Sequence, residues 1–357
     1  MEQEVSIVNS KARVSETSID APHPVDANNT TPSNQTMVEA INLALAHAME
    51  EDDSVVMLGE DVGANGGVFR ATVDLRKEFG LKRVMDTPLA EALIGGITIG
   101  MASQGLKPIA EIQFMGFIYA AMEQIISHAS RLRNRTRGRL SCPMVIRAPF
   151  GGGIHAPEHH SESTEALFAH IPGIRVVIPS SPLRAYGLLL SAIRNPDPVL
   201  FLEPKRIYRA VSQPVIDDGV ALPLDTCFTL REGSDLTLVS WGAMIQETLK
   251  AAELMADKGV DCEVIDVASI SPLDIHTIEC SIAKTGRCII VHEAARSAGV
   301  GAEIAAHLAE HCLLDIKAPV KRVTGFDTIM PYLRNEGYYL PSVERIVHAV
   351  NDVMAFD

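Results

Sequence analysis

Glu91 stands at the head of a run, Ala92 to Ala102, that is apolar or small at nearly every position, and no basic residue follows it until Lys107. Asp86-Thr87-Pro88 precede it as a turn, with Pro88 fixing a sharp corner. A carboxylate that opens a helix is ordinarily a cap facing the macrodipole. One that opens a helix apolar on every face is expected instead to point into a buried place, where lost hydration favours the neutral acid. Two further stretches could do chemistry. Gly59-Glu60-Asp61 ends a buried-type strand, at the edge where α/β sheets bind ligands, so Glu60 either shares a proton with Glu91 or caps a turn. The loop Gly151–Ser163 has three successive glycines, then His155, Glu158, His159, His160 and Ser161. Its spacing is not that of HExxH and no cysteine lies near, which argues against a metal. Incidental histidines on a solvent loop are one reading. A backbone brought close to a ligand, with one histidine presented for proton transfer, fits the residues better.

These residues need a scaffold. Residues 83–117 read as strand, turn, helix, turn, strand. Before them, Thr36 and Glu39 form a Thr-x-x-Glu capping box for a helix, strand Val55–Leu58 follows, and a helix is expected from about 70 to 79. After them come a helix from about 118 to 131, strands at 143–146, 174–178 and 199–202, and a helix at 182–194. A second block repeats the alternation: strands at 236–239, 264–267, 288–291 and 320–323, with helices after Pro272, at 301–308 and from Pro341. Strands alternating with helices imply parallel sheets. The expected fold is α/β with two domains, each a mostly parallel sheet flanked by helices. The expected bounds are a disordered polar tail over 1–35, a first domain over 36–210, a linker over 211–230 and a second domain over 231–357.

Composition narrows the function. At 357 residues the chain should form about two domains, and 47% hydrophobic residues suffice for two cores. A net charge of −14 argues against nucleic acid and against anionic membranes, and suits a basic protein partner. Six scattered cysteines without a CxxC pair suit reduced, buried thiols, no stretch is long and apolar enough to span a membrane, and the N-terminus has no signal-like core. A cytoplasmic protein is expected. Arg131, Arg133, Arg135, Arg137 and Arg139 read as a solvated basic face or a docking surface, and Gly299-Val-Gly301 falls short of a dinucleotide fingerprint.

Thr87-Pro88-x-x-Glu91, Glu111-Ile-Gln-Phe114, Phe117, the glycine loop with His160-Ser161, and Val176–Pro179 follow one another in an order that resembles a known family. The chain is similar to the beta subunits of the thiamine-diphosphate-dependent 2-oxo acid dehydrogenases, in the transketolase superfamily, over about residues 36–355. The resemblance implies a pyrimidine-binding domain followed by a transketolase-like C-terminal domain. It implies that Glu91 hydrogen-bonds N1′ of the cofactor's aminopyrimidine, that Phe117 stacks on that ring, and that Glu60 belongs to a buried carboxylate chain between active sites. Glu111 falls in the same cofactor-binding set, and His160 matches an active-site histidine that works near substrate and the lipoyl group. A potassium site of backbone carbonyls would fall on Met144, Ala192, Ile193, Asn195 and Asp197, although Asn195-Pro196-Asp197 departs from the family's run. An acid holding a proton in an apolar pocket suits the Glu91 role, and general acid–base help of this kind is worth roughly 10²–10⁴ in rate.

The superfamily's magnesium motif, Gly-Asp-Gly with a later Asn, does not occur in the sequence. The resemblance therefore implies that an alpha subunit brings the magnesium and diphosphate half of thiamine diphosphate, in an α2β2 assembly that acts with a lipoyl acyltransferase. It implies oxidative decarboxylation of a 2-oxo acid. Pro149–Ser163 and Tyr339-Leu-Pro341 favour pyruvate, whereas Glu203-Pro-Lys-Arg-Ile-Tyr208 looks equally like branched-chain relatives. An acetoin or 2-oxoisovalerate dehydrogenase subunit, a non-catalytic interaction subunit and a self-contained transketolase-like enzyme are the rival readings.

Overall fold

The computed structural model describes residues 31–356. Most of the expected disordered tail lies outside the described residues. Order begins earlier than the capping box suggests, because Ser33–Thr36 is a strand paired antiparallel with Ser212–Val215. That second strand lies in the stretch expected to be linker. The linker reading also missed Phe228–Arg231, an antiparallel edge strand. Pro214 and Pro223 mask both from a search for period; Pro214 sits in a two-stranded margin, where proline is tolerated, and Pro223 lies in the loop before Phe228.

The first sheet has seven strands. From one edge they run Ser269–Ser271, Arg175–Val177, Val199–Pro204, Val145–Phe150, Lys107–Glu111, Val55–Gly59 and Val84–Asp86. All neighbours are parallel except the first pair, in which a strand from the second half of the chain closes the edge. The second sheet has five strands, ordered Lys321–Thr324, Cys288–His292, Leu236–Ser240, Cys262–Asp266 and Phe228–Arg231. The central strands are buried end to end, as strands covered on both faces must be.

Local rules explain the helices that cover these sheets. Glu39 accepts from the Thr36 N–H at 2.8 Å and from the Thr36 hydroxyl at 2.6 Å, which starts helix Met37–Glu51. Ser181 caps helix Pro182–Arg194, with proline in its first turn where no donor is lost. Two expected helices differ. The one at 70–79 shortens to Leu75–Phe79, because the Asn42 amide takes the Ala71 and Val73 carbonyls and Arg70 and Asp74 adopt positive φ. The one at 118–131 is a chain of short turns: a 3-10 helix Met115–Ala121, a π turn Gln124–His128, a 3-10 turn Ala129–Arg131 and an α turn Leu132–Arg135. The widened turn begins at Gln124, against which helix Glu91–Ser103 packs through Gly95. A Cβ on Gly95 would stand 3.1 Å from Gln124 Cβ.

One charged group lies inside the first core. Arg147 is 1% exposed and donates to Glu203 at 2.6 and 3.0 Å and to Glu111 at 2.9 Å. The Tyr208 hydroxyl donates to Glu203 at 2.5 Å. Five of the six cysteines are buried; Cys280 is exposed, contrary to expectation, because it faces out from helix Ile275–Thr285. Among the described residues no helix is long and apolar enough to cross a membrane.

Candidate active site

Glu91 is the first residue of helix Glu91–Ser103 and is half-buried in this chain. The expectation that its helix is enclosed on every side is corrected by the packing. Ile94, Gly95, Thr98 and Ala102 are buried, whereas Leu93 is 44% and Ile97 36% exposed, and Leu89 just ahead of the helix is 81% exposed. The shielded acid is Glu60. It is 7% exposed, and its Oε1 is buried without a hydrogen-bond partner. Burial raises its pKa above the ordinary carboxyl value, the charge of Glu91 raises it further, and the Ala90 N–H offsets part of this. The structure therefore sets the two acids within reach of one another's charge, at the mouth of one helix.

The same helix packs, through Gly95, on the segment that carries Phe117. Phe117 lies 5.5 Å from Phe114 and 5.2 Å from His160, ring centre to ring centre, and Phe114 lies 4.5 Å from His160. Edge-to-face geometry at these distances is favourable. Gly116 lets the histidine loop close on this segment, since a Cβ there would stand 2.2 Å from the His159 carbonyl oxygen. The Nδ1 of His160 is buried without a partner among the described residues.

The three glycines of the loop serve a purpose other than the one expected. A Cβ on Gly151 would meet the Glu293 carboxylate at 2.0 Å, on Gly152 the Met330 methyl at 2.6 Å, and on Gly153 the Arg206 side chain at 2.1 Å. Their missing side chains admit packing groups, two of them from the second half of the chain, rather than a ligand. Glu111 is 5% exposed and faces Arg147 and Gly67. Burial raises its pKa while Arg147 opposes the rise. It stands in the ion-paired core on the strand next to Gly59, with which it is in register.

The expected potassium ligands gather around residues 195–199. The Ala192 carbonyl accepts from the Asn195 N–H, the Met144 carbonyl from the Val199 N–H, and the Asn195 side-chain oxygen from the Asp197 N–H. Ile193 is buried beside Ala192, and the Asp197 carboxylate takes Arg133 at 2.6 Å. Each carbonyl keeps one lone pair beyond the bond it accepts. The arginine run is exposed, and Arg133 and Arg137 line a cavity of about 770 Å³ with Arg175 and Asp197. None of Glu91, Phe117 or His160 lines that cavity.

Sequence reading missed a buried group between the two halves. Glu165 is fully buried. Desolvation pushes its carboxyl up to about 8, and it accepts from the Trp241 indole N–H at 3.3 Å. His292 stacks on Trp241 with ring centres 5.0 Å apart, and burial lowers its pKa to about 4. Glu293 and Glu336 are also buried. Their spacing in sequence carries no signal, because different strands and loops bring them together.

Two sheets of this kind, joined in this order, define a transketolase-type two-domain chain. Residues 33–211 match the transketolase pyrimidine binding domain and residues 226–346 the transketolase C-terminal domain. In structure, the chain is similar to a split-gene transketolase described as an inactive beta4 tetramer (TM-score 0.75, 22% identity, 91% of this chain and 99% of that one). A transketolase of Pichia stipitis also matches (TM-score 0.64, 14% identity, 92% of this chain and 47% of that one). These two share the fold.

In sequence, the chain is 49% identical to the pyruvate dehydrogenase E1 component subunit beta of Acholeplasma laidlawii, over 87% of this chain and 95% of that protein. It is 46% identical to the protein of that name in Bacillus subtilis (strain 168), over 90% and 99%. The chain belongs to the family of pyruvate dehydrogenase E1 component beta subunits.

Proposed function

We propose that this chain supplies the aminopyrimidine half of a thiamine diphosphate site in pyruvate dehydrogenase, with an alpha subunit supplying the magnesium and diphosphate half. The observation that carries the reading is the Glu60–Glu91 pair at the mouth of a helix whose apolar outer face this chain leaves uncovered. The residues fit such a group: an aromatic face at Phe117, a half-buried carboxyl at Glu91, and two buried polar atoms, Glu60 Oε1 and His160 Nδ1, that find no partner among the described residues. Family membership at 44–49% identity supports pyruvate as the substrate and a subunit partner to complete the site.

Thiamine diphosphate, when bound, supplies a carbon nucleophile toward the ketone of a 2-oxo acid and takes up the electron pair left by carbon dioxide. Glu91 holds a proton at N1′ of the aminopyrimidine. Glu60, behind it, resists ionisation and so offers that proton a second carboxyl with which to exchange. Phe117 presents its face to the ring. His160, on the neighbouring loop, gives or takes a proton at the substrate carbonyl oxygen during the chemical step. The fragment left by decarboxylation would then pass to a lipoyl disulfide on an acyltransferase, whose S–S bond opens and takes up two electrons as one sulfur is acylated and the other becomes a thiol. Family membership supports an α2β2 assembly, and a potassium ion on the Met144, Ala192, Ile193, Asn195 and Asp197 set would stiffen the segment that carries Asp197.

Reassembly with an alpha subunit tests this. Glu91→Gln should cost at least about tenfold in pyruvate decarboxylation, and near-normal turnover would overturn the role. Assaying the same complex with 2-oxoisovalerate separates pyruvate from the branched-chain reading. Activity of the purified chain alone would favour a self-contained enzyme.

A further inference from the structure

The geometry points to Glu336 as a positioning residue for His160, acting on the histidine loop from the second half of the chain. This rests on the reading above that His160 serves the reaction. Glu336 opens the short helix Glu336–Tyr339 and is 2% exposed. Its carboxylate accepts from the Gly153 N–H at 2.5 Å and the His155 N–H at 2.9 Å, and it meets the His155 Nδ1 at 2.7 Å. His155 has a φ of +60°, a conformation that a residue with a side chain rarely adopts, and Glu336 grips it through both its backbone and its ring.

The rest of the loop leaves little slack. The Gly151 N–H donates to the Glu162 carbonyl at 2.9 Å, and the Ser163 hydroxyl donates to Glu293 at 3.1 Å, closing the loop at its base. The His160 N–H donates to the Pro157 carbonyl at 2.9 Å, so a shift of His155 passes along two residues to His160. Gly152 and Gly153 have no room to swing, with Met330 and Arg206 against them. Arg206 is itself held by Glu247 through two bonds of 2.7 Å. A buried carboxylate whose hydrogen bonds all go to one loop ties that loop to its own helix, because release would leave its oxygens without hydrogen-bond donors even with the charges of Lys205 and Arg206 nearby.

The test uses the full chain assembled with an alpha subunit, in Glu336→Ala, Glu336→Gln and His155→Ala forms. Amide exchange across residues 151–163 should quicken at least about tenfold in Glu336→Ala, while strand Val55–Gly59 exchanges as before. Turnover should fall while the KM for pyruvate holds, with Glu336→Gln intermediate, because the loop still closes but places His160 poorly. Unchanged exchange in the loop, or a loosened loop with unchanged turnover in a complex that His160→Ala inactivates, would overturn the proposal. If His160→Ala retains full activity, the role of His160 fails instead, and loop exchange still decides whether Glu336 holds the loop. Should Glu336→Ala not fold, His155→Ala decides by the same readouts, since its side chain is 61% exposed and its loss removes one arm of the grip.

Discussion

Glu60 lies buried within reach of the charge on Glu91, and after burial itself that charge is the largest influence holding the Glu60 carboxyl above its ordinary range. Removing the charge of Glu91 should therefore make Glu60 easier to ionise. In Glu91→Gln, Glu60 should ionise at lower pH than in the parent chain, as infrared or carbon NMR titration of its carboxyl would read. A Glu60 titration indifferent to that substitution would mean that the two acids act separately.

Glu165 sets a second pH dependence. Its folded carboxyl titrates at about 8 through burial, well above the value of about 4.5 in the unfolded chain. Below pH 4.5 both states are protonated and nothing is lost. As pH rises from there to 8, the unfolded chain sheds a proton that the folded one keeps, so stability falls by about 1.4 kcal/mol per pH unit at most. Glu165→Gln should flatten that part of the profile in chemical denaturation at pH 5, 6.5 and 8. A slope equal to the parent's would assign the pH dependence to other groups.

Arg147 joins Glu111 and Glu203 inside the first core. Arg147→Met would leave two carboxylates buried without their cation, a change that typically costs 3–5 kcal/mol. Urea denaturation should show a loss of roughly that size, and a loss under ~1 kcal/mol would mean that water or another cation replaces the guanidinium.

Leu93 is 44% exposed on the open face of the Glu91 helix. Leu93→Glu should alter the stability of the isolated chain by no more than about 0.5 kcal/mol. Its association with an alpha subunit, followed by sedimentation, should weaken at least about tenfold, because a charge would be buried at the contact. Unaltered assembly would place the partner elsewhere.

The sequence carried much of this at the level of elements. Helix Pro182–Arg194 announces itself through Ser181 and Pro182, and the parallel sheets through their buried, β-branched strands. Glu91 could be singled out from the turn and apolar run around it, and the histidine loop from its glycine run, whereas Phe117 and the choice of His160 among the histidines rested on the family resemblance. What could not be read was set by distance. The use of Gly151, Gly152 and Gly153 depends on Glu293, Met330 and Arg206, which no local pattern links to them. The exposed face of the Glu91 helix looks in sequence like a helix buried all round, because an apolar face left open and one packed in a core have the same composition. The turns of 115–135 read as one helix because their apolar spacing is helical, and packing against Gly95 decides otherwise.

Strand Ser269–Ser271 crosses from the later half to finish the earlier sheet, and Ile178 N–H donates to the Ala268 carbonyl at 2.7 Å beside it. Asp266, pushed up to about 6 by burial, accepts from the Ser180 hydroxyl and is ion-paired with Arg184 across the same seam. A gene cut in the connecting stretch would thus yield a first product with a raw, sticky border along Arg175–Val177 and a second with an orphaned ribbon. Such fragments should clump when made apart and mend one another when made together, so that the polypeptide behaves as a single inheritance unit rather than as two interchangeable parts.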